Sequence, residues 1–168
     1  MAVRMGSGPT SARIIVVGEA YGEQEERAGE GFVGASGQEL NRMLQEANIM
    51  RSEVYVTNLV NARPPGNNIG AWIAAKKKDI TPAHVPLHDK FVLPIIVEGY
   101  QSLLKEISLV KPNLIIALGN SPLWALTQKW GILRWRGSHL IADCGVKCIP
   151  TIHPAAVLRQ WDLRVLAV

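Results

Sequence analysis

Four short runs of β-branched and aliphatic residues restrict the fold of this chain more than any other feature of its sequence. They lie at residues 13–17, 54–57, 113–118 and 147–152. Half-exposed strands alternate apolar and polar positions, whereas continuous apolar runs of this length fit strands buried on both faces of a parallel sheet. Helical patterns lie between them. Residues 38–47 put Leu40, Met43, Leu44 and Ala47 on one face, with Ser36 as a fitting N-cap. Residues 97–110 put Tyr100, Leu103, Leu104 and Ile107 on one face and end before Lys111 and Pro112. A further helix is predicted from Ser121, with Pro122 in its first turn, through Leu126. This alternation predicts an α/β fold: a three-layer α/β/α sandwich around a central four-stranded parallel sheet.

Open parallel sheets bind ligands beyond the carboxyl ends of their strands. The segments that follow the four runs are 18–22, 58–68, 119–121 and 153–155, and they are rich in Gly, Pro, Asn and His. Polar chemistry is therefore expected along one rim of the sheet. The stretch 67–94 breaks the pattern, with Gly70, Pro82, Pro86 and Pro94, a Lys76 to Lys78 run, and His84 and His88. It reads as a long excursion, and long loops in compact domains are commonly functional or mobile. Residues 161–168 read as a helix that stops without a cap. Residues 1–168 are thus expected to form one domain, which leaves open that the chain is cut from a longer polypeptide.

Composition narrows the function classes. With 168 residues, 48% of them hydrophobic and 19% charged, the chain can bury a core and has no disordered character. No apolar run approaches the roughly 20 residues that span a bilayer, and residues 1–13 lack the apolar stretch of a signal peptide, so a cytoplasmic location without membrane contact is expected. Cys144 and Cys148 are too few for a zinc site or a disulfide framework and read as strand-edge thiols, so neither a metal nor another cofactor is expected. The net charge of +4 suits a polyanion. Glu19, Glu23, Glu25, Glu26 and Glu30 crowd one segment, while Lys129, Arg134, Arg136, Arg159 and Arg164 lie later, so a basic face could stand apart from an acidic site.

The rim segments carry recognisable strings. Gly18-Glu19-Ala20-Tyr21-Gly22-Glu23-Gln24-Glu25-Glu26, then Gly31-Phe32-Val33-Gly34, then Thr57-Asn58 with Arg63-Pro64-Pro65-Gly66-Asn67, then His153-Pro154-Ala155 through Leu158-Arg159 occur in this order. Together they resemble the uracil-DNA glycosylase superfamily, and most nearly its thermostable iron-sulfur family, whose pattern runs GEAPGxxED, PFVG, TN, RPPGN and HPAxLLR. The likeness spans about residues 14–159 and extends to the glycosylase-like domains that phages carry alone or ahead of a DNA polymerase. In a phage setting the location would be the host cytoplasm.

The resemblance implies DNA as partner, a monomer, and a pocket for one flipped-out pyrimidine, with a DNA polymerase or other replication protein as a further partner class. An extruded base loses its stacking and pairing, which the pocket must replace. Phe32 would stack on the base, and the Asn58 amide would read its edge, with Ala20 and Tyr21 lining the same pocket. His153 would stabilise the departing pyrimidine anion, and the Glu19 carboxylate would orient water or stabilise an oxocarbenium-like sugar. Gly34, Ser36, Asn120, Ser121 and Ser138 are candidates for phosphate contact, and Val157, Leu158 and Arg159 for the wedge that fills the vacated stack. Trp130, Trp135 and Arg136 could add an aromatic and basic edge. Each has an ordinary alternative: a core Phe, a strand-end Asn, a surface His, a salt-bridged Glu, plain helix caps, a core Leu.

Two departures stand out. The iron-sulfur family uses four cysteines, one just before RPPGN, and Ala62 stands there. Tyr21 replaces the proline of GEAPG, bringing a phenol near C5 of a bound base. Three functions stay open: hydrolysis of the N-glycosidic bond of uracil or a 5-substituted uracil in DNA; transfer of an amine to an activated 5-hydroxymethyl pyrimidine with the glycosidic bond left intact, as in phage thymine hypermodification; or DNA binding without chemistry beside a polymerase.

Overall fold

A computed structural model describes residues 4–168. The chain runs β1 (Ile14–Ala20), α1 (Glu23–Ala28), α2 (Ala35–Glu46), β2 (Val54–Val60), β3 (Val85–Leu87), β4 (Lys90–Val92) and α3 (Pro94–Val110). It continues through β5 (Leu114–Leu118), α4 (Asn120–Thr127), α5 (Ile132–Trp135), β6 (Leu140–Ile141), β7 (Lys147–Thr151), α6 (Pro154–Arg159) and α7 (Arg164–Ala167). The main sheet has the order β2-β1-β5-β7-β6. Its first four strands are parallel, as the apolar runs require, but a fifth strand extends it: β6 pairs antiparallel with β7.

Helices cover both faces. Leu40 and Leu44 of α2 pack on Val16, Val54, Val56 and Leu118. On the opposite face Leu103, Ile107 and Val110 of α3 and Trp124 to Leu126 of α4 share the larger core with Ile15, Val17, Tyr55 and Ile115. Met43 of α2 meets Ile152, Val157 and Ala167, which ties α6 and α7 to the α2 side. Among the described residues no helix is long and apolar enough to cross a membrane.

Several sequence expectations are corrected. α2 begins at Ala35 behind Gly34, so Ser36 lies in its first turn and does not cap it. α3 begins at Pro94, a residue suited to a first helical position because its missing N–H would have no partner there. The excursion is no open loop. A β3–β4 hairpin and short 3-10 turns organise it, and Ile69, Trp72 and Val92 anchor it in the larger core. His88 takes part in this anchoring: Nε2 lies 2.9 Å from the Ala125 carbonyl, and its ring packs edge-on against Tyr100 and Trp124. Residues 161–168 are a 3-10 turn followed by the four-residue α7, not one helix. Cys148 is buried in β7, where desolvation pushes its thiol up to about 12, and Cys144 is exposed in the preceding turn.

Candidate active site

The carboxyl ends of the parallel strands open onto a cleft of 580 Å³, within the usual range of small-ligand pockets. Glu19, Ala20 and Tyr21 from the end of β1, Asn58 from β2, Asn120 after β5 and His153 after β7 all line it. Phe32 and Ser36 enter from the approach to α2, and Arg159 from the end of α6.

Close backbone approach makes the arrangement possible. Gly18 pairs in register with Asn58. A β-carbon at Gly18 would stand 2.4 Å from the Phe32 ring and 2.5 Å from Asn58 Oδ1, so the ring and the amide meet only because residue 18 has no side chain. Phe32 itself holds φ at 57°, a conformation costing about 1–2 kcal/mol for a residue with a side chain. The surrounding packing must hold it there. The ring is buried, and its centroid lies 6.1 Å from that of His153 at an interplanar angle of 28°.

Hydrogen bonds define the polar groups. Ser121 Oγ donates to Glu19 Oε2 at 2.7 Å. Ser121 is buried, and its hydroxyl orients the carboxylate. The Gly34 amide donates to Glu25 Oε1 at 3.1 Å and the Gly22 amide to Glu25 Oε2 at 3.2 Å. Gly34 N–H is therefore already satisfied, and the phosphate contact expected of it has no free donor; Glu25 instead straps together the loops after β1 and before α2. Asn120 Oδ1 accepts from the amides of Gly131 and Ile132 at 3.2 and 2.7 Å, which fixes the start of α5 as a cleft wall. Ser138 is not a cleft residue; its amide closes a turn onto the Trp135 carbonyl. Val157 is fully buried beside Met43 and Ile152 and so is no wedge, whereas Leu158 points outward, 42% exposed, and does not pack in the core. At the two ends of α5, Lys90 Nζ sits 4.4 Å from the Trp130 ring centre and Lys129 Nζ 4.7 Å from that of Trp135.

His153 is the N-cap of α6, and its Nδ1 accepts the Ala155 amide at 3.0 Å. Nδ1 is thus unprotonated and Nε2 carries the ring proton. Desolvation by burial, aided by the Arg159 charge and opposed by Glu25, lowers the imidazole to about 4. At neutral pH His153 is therefore a neutral donor. Because the folded value lies below the ordinary 6.5, the associated stability is fully present above pH 6.5 and is lost as pH falls through about 4. An NMR titration of the His153 ring should show a midpoint near 4; a midpoint near 6.5 would mean that the ring is solvated and its tautomer free.

Tyr21 is buried against the cleft, with its hydroxyl 3.5 Å from the Gly29 carbonyl and Arg4 5.8 Å from its ring centre. Burial raises its phenol, so it stays protonated at neutral pH. The acidic segment of α1 is partly neutralised by arginines: Arg4 reaches Glu26 at 3.3 Å, Arg27 pairs with Glu23, and Arg63 lies 3.8 Å from Glu23.

A four-thiolate cluster does not fit this chain. The sequence holds two cysteines, one of them sealed in the core, and among the described residues no group of three or more His, Cys, Asp or Glu is placed to hold a metal. Ala62 instead packs on the larger core, and its carbonyl accepts the Tyr21 amide at 3.1 Å.

Glu25, Asn67 and Asn68, which lie in the strings or rim segments but had no role assigned from sequence, also line the cleft, as does Ile132. Asn67 sits in the RPPGN string and could have been found there; Ile132 carries no sequence signal.

Comparison with known proteins agrees with this architecture. The model of the Uracil DNA glycosylase superfamily matches residues 5–167. A type-4 uracil-DNA glycosylase of Thermotoga maritima is 34% identical over 160 residues, covering 94% of this chain and 72% of that protein. Another, from Pyrobaculum aerophilum, is 33% identical, covering 95% and 74%. A DNA polymerase of Bacillus phage SP01 is 32% identical over 171 residues, covering 96% of this chain and 16% of the polymerase. With four strand ends converging on one cleft and a family match across nearly its whole length, the chain belongs to the uracil-DNA glycosylase superfamily.

Proposed function

We propose that this protein is a DNA N-glycosylase that takes a uracil, or a 5-substituted uracil, out of the base stack and hydrolyses its glycosidic bond. The observation that carries this reading is the meeting of Glu19, Phe32, Asn58 and His153, from separate parts of the sequence, around one cleft. The type-4 uracil-DNA glycosylases among its relatives support it.

Phe32 stacks on the extruded base and restores part of the lost stacking, worth about 1–3 kcal/mol. Asn58 offers an acceptor and a donor to N3–H and O4. As the N1–C1′ bond breaks, its electron pair passes to the base and accumulates at O2, where the Nε2–H of neutral His153 donates a hydrogen bond. Water bonds to C1′ and gives up a proton to Glu19, whose carboxylate Ser121 holds in place. The first-turn amides of α2 and the Arg159 guanidinium, both at the cleft, suit the phosphate backbone. Leu158, exposed on α6 next to the cleft residue Arg159, suits the wedge.

The test is incubation of the protein with single- and double-stranded oligonucleotides holding one uracil or 5-hydroxymethyluracil, followed by alkali, gel analysis and intact mass. Strand breaks at the modified position are expected. Tight binding with intact strands and no mass loss would overturn the hydrolase and leave a transferase or binding role.

A further inference from the structure

Asn58 has a neighbour whose hydrogen bonds all run one way. Asn61, just past β2, donates through Nδ2 to the Arg4 carbonyl at 2.9 Å and to Thr57 Oγ1 at 3.1 Å. A carbonyl only accepts, so Asn61 must turn its NH2 toward Arg4. Thr57 Oγ1 is available as an acceptor because its own proton goes to Glu106 Oε1 at 3.1 Å. Glu106, buried on α3, also accepts from Tyr55 Oη at 2.8 Å and from the Gly6 amide at 2.9 Å. Both N–H bonds of Asn61 are thereby used, and its Oδ1 is left to accept from Asn58 Nδ2 at 3.3 Å.

We propose that Asn61 is a specificity-determining, positioning residue that fixes the polarity of the Asn58 amide, so that the cleft takes a uracil edge and rejects a cytosine edge. The inference rests on the uracil reading above. A flipped Asn58 would set its Oδ1 against Asn61 Oδ1, two acceptors face to face, and at 3% exposure little water can reach Asn58 to relieve them. The fixed orientation puts Asn58 Oδ1 over Gly18 on β1, the side of the sheet toward β7 and His153, and its Nδ2 on the outer side. A base whose O2 meets His153 then presents N3 to Oδ1 and position 4 to Nδ2. Uracil matches this, donating at N3 and accepting at O4. Cytosine has the reverse pattern and would need the amide turned over. Residues from the N-terminal arm, β2 and α3 thus set a direction that Asn58 alone could not keep.

The experiment is equilibrium binding, by fluorescence anisotropy, to single-stranded oligonucleotides with one 2′-fluoro-2′-deoxyuridine or one 2′-fluoro-2′-deoxycytidine, which resist excision. The wild-type protein should prefer the uracil strand by about 10- to 100-fold, the discrimination of a bidentate base contact. Asn61→Leu should bring this ratio to within a few-fold of unity. Asn61→Asp, which still accepts from Asn58, should keep most of it. Asn61→Ser repeats the test without apolar bulk if the leucine variant does not fold. A folded Asn61→Leu or Asn61→Ser protein with the wild-type ratio would overturn the proposal and leave the uracil reading standing. A wild-type protein that binds both strands equally would overturn both.

Discussion

His153→Ala is expected to slow base excision by about 10²- to 10⁴-fold while DNA affinity stays near its wild-type value. The leaving pyrimidine carries away the electron pair of the N1–C1′ bond, and stabilising that charge is the step at which a positioned donor has most leverage. His153 suits the task through its surroundings. Nδ1 is committed to the Ala155 amide, so the ring proton stays on Nε2, and burial keeps the ring neutral across the physiological range. The substitution also removes the N-cap of α6, which costs about 1 kcal/mol of stability by itself. His153→Ser separates the two effects. Serine can cap the helix but cannot reach as the imidazole does, so it should recover stability and stay slow. Single-turnover excision under saturating enzyme, with anisotropy for binding, gives both readouts. An unchanged single-turnover rate in His153→Ala would remove His153 from the chemistry.

Rate against pH follows from the same geometry. With the imidazole near 4, no His153 transition should appear between pH 8 and 5, and a loss should begin only below that as protonation breaks the Nδ1 cap.

The parallel sheet was legible because its strands are buried on both faces, which leaves continuous runs such as Ile14 to Val17 that few other structures produce. Two strand ends were legible, at Gly119 directly after β5 and at His153 just beyond β7, but Gly18 and Asn58 were misread as ends: β1 runs on to Ala20 and β2 to Val60, so both residues lie inside strands. β6 escaped because two residues give no period. The hairpin of β3 and β4 escaped because its turn is His88-Asp89, with His88 at φ 52°, in place of the Asn-Gly or Asp-Gly that announces such turns. A helix start in a sequence does not reveal which donors are already spent: the Gly34 amide goes to Glu25, nine positions away, and the Ser121 hydroxyl to Glu19, 102 positions away. Such pairings depend on strand order, and strand order is where the sequence pattern falls silent.

The largest expected effect on stability lies outside the cleft. Glu39, on α2, is fully buried, and its carboxylate is held by Arg164 Nε at 2.9 Å and Arg42 Nη1 at 3.2 Å. Arg164 also reaches Glu46 at 2.6 Å, so one side chain from α7 spans two acidic positions of α2. Arg164→Met should lower Tm by several degrees, because the fully buried Glu39 carboxylate loses one of its two partners while Arg42 remains. Adding Glu39→Met removes the stranded charge, and the double variant should recover most of the stability; a double-mutant cycle measures the coupling directly. The consequence reaches the site. α2 begins beside Phe32, α6 begins at His153, and Met43, Val157 and Ala167 bind the two helices and α7 into one cluster. Loosening α7 should therefore raise amide hydrogen exchange in α6 before it does so in β1 or β5. A uniform rise across all elements would show that Arg164 supports the whole domain and not the α2–α6 wall of the cleft.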